Sequence, residues 1–161
     1  MSAPRVMIFL PSQVDDSVLK AIVNELSLSV DHLPPGFPFD FSAQRRDSTT
    51  YILIEYSKSP RYLEDFADWE RPSLEYKRLI ADSKATLTIT YRGIELAKRC
   101  LIVLAQRIGV EVSARSVLEN GRGCLLFLSE VKGLLSNDTA WSWEKDAFPE
   151  LPGVAPSEWA E

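Results

Sequence analysis

At 161 residues, with 45% hydrophobic and 25% charged content, the chain has the size and composition of one folded domain that can bury a core without a disulfide or metal staple. That composition excludes disorder over the whole length, and a net charge of −5 without a basic stripe argues against DNA or RNA binding, since the body offers only local pairs such as Arg45-Arg46. No run approaches the roughly 18 apolar residues of a membrane-spanning helix, and Met1 to Pro11 lacks a secretory cleavage pattern, so a soluble, cytoplasmic protein without membrane contact is expected.

In chain order, Arg5 to Leu10 reads as a buried strand. Asp15 to Leu28 repeats Val18, Leu19, Ile22, Val23 and Leu26 at helical spacing, with Asp15 or Asp16 at the N-cap position. Leu33 to Phe41 holds three prolines and Gly36 among Phe37, Phe39 and Phe41, which predicts a loop with aromatic anchors. Thr49 to Tyr56 is β-branched and aromatic, a strand. Ser59-Pro60 starts a helix to about Glu70, and Pro72 to about Ala81 a second. Thr86 to Tyr91 alternates as a strand. Gly93 to Ile108 carries Ile94, Ala97, Leu101, Leu104 and Ile108 on one face, with Gly109 at the C-terminal cap. Val110 to Leu118 and Cys124 to Leu128 flank Asn120-Gly121, a hairpin signal, and Ser129 to Leu135 closes the body as a helix. The expected fold is α+β, a ferredoxin-like β-α-β-β-α-β sheet with a two-helix insertion and an appended hairpin strand, over residues 1–137.

Residues 138–161 form a tail with six acids against one base, which accounts for the whole net charge, and with three of the four tryptophans. Trp141, Trp143, Phe148 and Trp159 sit among Glu144, Asp146, Glu150 and Glu158, the pattern of a steered, aromatic contact surface. Trp141 and Trp143 have an equal claim as core residues, because an i, i+2 pair on an extended segment can turn both rings onto the sheet. Glu64 and Asp68, four apart beside Trp69, make either a solvated helix face or a second acidic, aromatic contact.

Catalytic groupings are not visible. His32 is the one histidine, and no nucleophile elbow or phosphate-binding glycine loop occurs. Asp15-Asp16 after a strand suits helix capping better than a phosphatase nucleophile. Cys100 and Cys124 lack metal or redox spacing; reduced, buried thiols are expected, with a disulfide open to them if the fold brings them together. No metal and no cofactor is expected.

The run from Ala97 to Glu144, containing Glu119-Asn-Gly-Arg-Gly-Cys-Leu-Leu-Phe-Leu-Ser-Glu-Val131 and Trp141-Ser-Trp143, resembles small bacterial immunity proteins of polymorphic or interbacterial toxin systems. The likeness covers under a third of the chain. It implies a non-enzymatic module that occludes the active site of a cognate toxin, a partner with a basic surface. The rival reading is a small enzyme or ligand-binding domain with an Arg/carboxylate site gathered by folding. A homo-oligomer through an open strand edge is the third.

Overall fold

The computed structural model describes residues 3–58, 74–121, 125–138 and 140–144. Within them an α+β fold is built on a seven-stranded antiparallel sheet. The strands are β1 (Arg5–Leu10), β2 (Ser29–Val30), β3 (Phe41–Arg46), β4 (Tyr51–Ser57), β5 (Ala85–Arg92), β6 (Val117–Glu119) and β7 (Leu125–Phe127). The helices are α1 (Asp16–Leu26), α2 (Leu74–Ala81), α3 (Ile94–Ile108), α4 (Val110–Ser113) and α5 (Leu128–Asn137). The order across the sheet is β2-β3-β4-β5-β1-β6-β7. No described helix is long and apolar enough to cross a membrane.

Strand register explains the core. Ile8 lies opposite Leu87 and Leu118, Ile89 opposite Ile54, and Tyr91 opposite Ile52, so alternate residues of the central strands turn one apolar face to the same side. α1, α3 and α5 cover that face with Ile22, Leu26, Leu101, Leu104, Leu128 and Val131. Removing a leucine-sized side chain from water contributes about 1.5–3 kcal/mol each, so this layer holds most of the stabilising burial. A smaller cluster on the opposite face joins Met7, Phe9, Val117 and Leu125 to Ile80 of α2.

Local chemistry sets the helix ends. α1 stops at Ser27, in left-handed backbone (φ 55°), and the Leu28 N–H bonds back to the Val23 carbonyl at 2.9 Å. Two arginines then cap its last carbonyls: Arg45 Nη1 donates to Leu26 O at 3.0 Å and Arg99 Nη2 to Glu25 O at 2.7 Å. Asp15 occupies the N-cap position of α1 as the spacing predicts, without a side-chain cap hydrogen bond. Gly121, after Asn120 at the end of β6, has φ +86°, and a Cβ there would lie 2.6 Å from the Arg5 carbonyl oxygen. Only glycine fits between the turn and β1.

The sheet departs from the sequence expectation. β7 is the expected hairpin strand beside β6, but β2 and β3 extend the sheet beyond β4, so the order is not that of a four-stranded ferredoxin-like sheet with one appended strand. The strand expected over Val110 to Leu118 is a helical turn, α4, followed by the three-residue β6. There, Ser113 N–H bonds to Gly109 O and Ala114 N–H to Val110 O, and these local bonds override the β-propensity of Val110 and Val112, leaving Val110 78% exposed. The packed chain also continues past Asn137 to Glu144. Of the expected helix pair, α2 is the second; the first, from Ser59, lies outside the described residues.

Candidate functional site

Three places on the described surface carry chemistry beyond packing: the loop between β2 and β3, the polar face of β3, β4 and β5, and the groove at the β3–β4 turn.

The loop is built by its prolines. Phe37 N–H bonds to Pro34 O at 3.2 Å, and with Pro35 and Gly36 as the middle residues and φ +81° at Gly36, the segment is a β-turn of type II character. Its stems are clamped. Asp31 N–H bonds to Ser42 O, while its two carboxylate oxygens accept from Ser42 Oγ (2.8 Å) and Gln44 Nε2 (3.0 Å). At the other stem Asp40 N–H bonds to Tyr56 O, and its carboxylate accepts the Lys58 N–H at 2.6 Å. Phe37 and Phe39 pack at 6.1 Å with planes tilted by 49°. Phe37 stays 41% exposed, and Val30 of the edge strand β2 stays 57% exposed. A fixed turn therefore presents an exposed aromatic side chain in the loop that joins β2, an edge strand among the described residues, to β3.

On the sheet face away from α1 and α3, Glu55 of β4 lies between Ser42 of β3 and Thr88 of β5. Burial pushes its carboxyl above the ordinary glutamate value; Arg5 opposes the shift and Asp31 adds to it. The Thr86 and Thr88 hydroxyl oxygens are buried without a hydrogen-bond partner among the described residues. At the far end of this face, Tyr51 lies opposite Arg46 on one side and Arg92 on the other. They line a groove of about 340 Å³ with Asp47, Ser48, Thr49 and Thr50.

Of the residues singled out in sequence, Trp141 and Trp143 are core. Trp143 is fully buried and Trp141 9% exposed. The Trp143 indole N–H donates to Tyr91 Oη at 3.1 Å, the rings meet edge-to-face at 6.0 Å, and Asn120 Nδ2 donates to the Trp143 carbonyl at 2.9 Å. Glu144 is exposed and accepts the Tyr91 hydroxyl at 3.0 Å, so its carboxylate fastens the segment down. The core thus takes both tryptophans away from the surface. Asp146, Phe148, Glu150, Glu158, Trp159, Glu64, Asp68 and Trp69 lie outside the described residues. His32 is exposed at the loop entry, and Asp15-Asp16 sit at the start of α1. Cys100 is a free, fully buried thiol pushed up to about 12 by burial, which leaves no thiolate for nucleophilic work; Cys124 lies outside the described residues. Among the described residues no group of three or more His, Cys, Asp or Glu side chains could hold a metal ion.

Sequence reasoning named the loop but not Phe37 as the exposed member, and it missed the Arg46–Tyr51–Arg92 row, whose members come together only through strand pairing. Compared with protein-family models, curated proteins and solved structures, the chain matches none.

Proposed function

We propose that this protein is a non-enzymatic, cytoplasmic protein-binding module, an immunity protein that neutralises a cognate bacterial toxin by occluding its active site. The observation that carries the reading is Phe37, an exposed aromatic ring on a proline-fixed turn in the loop that follows the edge strand β2. Aromatic anchors dominate the energetics of protein interfaces, and one held by a preformed turn loses little conformational entropy on docking. The occupant is a toxin with a basic surface, because the carboxylates of Asp31 and Asp40 flank the loop.

Leu125, Leu126, Leu128, Val131 and Trp143 of the run that resembles immunity proteins are all buried, so under this reading that run belongs to the scaffold and the contact is assigned to the loop. The central order β6-β1-β5-β4 supports a ferredoxin-like plan, with α1 and α3 in its crossovers, widened at both edges.

The test is to co-express the chain with the product of the adjacent reading frame. The reading expects a one-to-one complex that abolishes the partner's toxicity, and Phe37→Asp that restores the toxicity while the variant melts like the parent. A neighbouring product that is not toxic, or full protection by Phe37→Asp, contradicts it.

A further inference from the structure

We infer that the groove at the β3–β4 turn is a binding site for the phosphate group of a small, hydroxyl-rich phosphate monoester. Arg46 and Arg92 stand on alternate strands on either side of Tyr51, so their Cα atoms are about 10 Å apart, a span two extended side chains close over. Arg46 already leans inward, its guanidinium carbon 4.7 Å from the centre of the Tyr51 ring, which fixes the charge without neutralising it. Among the described residues neither guanidinium enters an ion pair. The one carboxylate in the lining, Asp47, is paired outside the arginine row: one of its oxygens accepts from Arg45 Nε at 2.9 Å and Thr50 Oγ1 at 3.1 Å, and its other oxygen offsets part of the positive field. Two guanidiniums without an ion-pair partner among the described residues therefore share one concavity in a chain whose net charge is negative.

The geometry selects the ligand. Each guanidinium is a planar fork that takes two oxygens, and a carboxylate fills only one fork; the terminal oxygens of a phosphate monoester can engage both. The lining beyond the arginines is polar, with the hydroxyls of Ser48 and Thr49 and the phenol of Tyr51, and about 340 Å³ exceeds what a phosphate group alone occupies. A hydroxylated body suits that remainder better than an apolar one.

The test is calorimetric titration of the full chain at low ionic strength with glycerol phosphate, inorganic phosphate and glycerol. Saturable binding of one glycerol phosphate per chain is expected, tighter than inorganic phosphate, with no binding of glycerol. Arg46→Ala and Arg92→Ala should each weaken it by about tenfold or more, the loss of one charge-assisted pair of hydrogen bonds. Lys20→Ala on α1 should leave it unchanged, and thermal melts should show all three variants folded. No saturable binding of either phosphate compound overturns the site. So does equal weakening by Lys20→Ala and the arginine variants, which would mean general charge attraction. Equal affinity for glycerol phosphate and inorganic phosphate overturns the monoester assignment.

Discussion

Replacing Trp143 with alanine removes the largest fully buried side chain in the described core. Truncating a buried tryptophan costs about 3–5 kcal/mol, and the indole N–H bond to Tyr91 adds about 1 kcal/mol. Tyr91 keeps its bond to Glu144, so its hydroxyl is not orphaned and no further penalty follows. A loss of about 5 kcal/mol is then expected against a total of about 5–15 kcal/mol, lowering the melting temperature by about 10–20 °C. Urea titration followed by far-UV circular dichroism measures it without relying on the fluorescence of the deleted ring. Trp143→Phe, which keeps a ring but loses the donor, should cost about 1–2 kcal/mol. Tyr91→Phe leaves the Trp143 N–H buried without an acceptor, so it should cost less in the Trp143→Phe background than in the parent. A Trp143→Ala loss under about 1 kcal/mol, or strict additivity in the cycle, would refute the packing of residues 141–144 on the sheet. The same logic moves the informative truncation: a cut after Asn137 strips two core tryptophans and reports on folding, whereas a cut after Glu144 tests the acidic remainder alone.

Gly121→Ala should destabilise by about 2 kcal/mol or more in the same titration, because it combines positive φ with a contact on the Arg5 carbonyl; no loss would mean the turn can move off β1. Glu55, with its folded-state value raised above the unfolded one, favours folding while protonated and forfeits that contribution as pH rises through the raised value. Stability should therefore decline more from mildly acidic to neutral pH in the parent than in Glu55→Gln, the difference reduced by partial solvent exposure; identical pH profiles would remove Glu55 from the account. Cys100 should resist a thiol reagent at neutral pH until the chain unfolds, and rapid native labelling of this residue would contradict its burial.

The long elements were legible where one face is apolar. α3 declares itself because Ala97, Leu101 and Leu104 fall on one stripe that meets the sheet, and β1, β4 and β5 because their β-branched residues alternate into a single core. β3 was not, since Phe41–Arg46 is mostly polar and its pairing is imposed by β4, with Ala43 small because it sits against Ile54 in the core. Alternating valines at 110 and 112 mimic a strand, yet the fold ends α3 at Gly109 and spends those residues on a solvent-facing turn. The tail tryptophans could be read either way in sequence, because the decision rests on Tyr91 and Asn120, 52 and 23 residues from Trp143. The arginine groove is similarly non-local: positions 46, 51 and 92 share no motif, and only register aligns them.

The proposed role of the proline-fixed Phe37 loop is contact with a toxin. Calorimetric titration of the adjacent gene's product, inactivated at its own catalytic centre, against the parent chain and Phe37→Ala tests it most directly. An anchor worth about 2 kcal/mol or more predicts a loss of affinity of about thirtyfold or greater, with stability unchanged. Equal affinity of parent and variant, or no binding by the parent, would contradict the account.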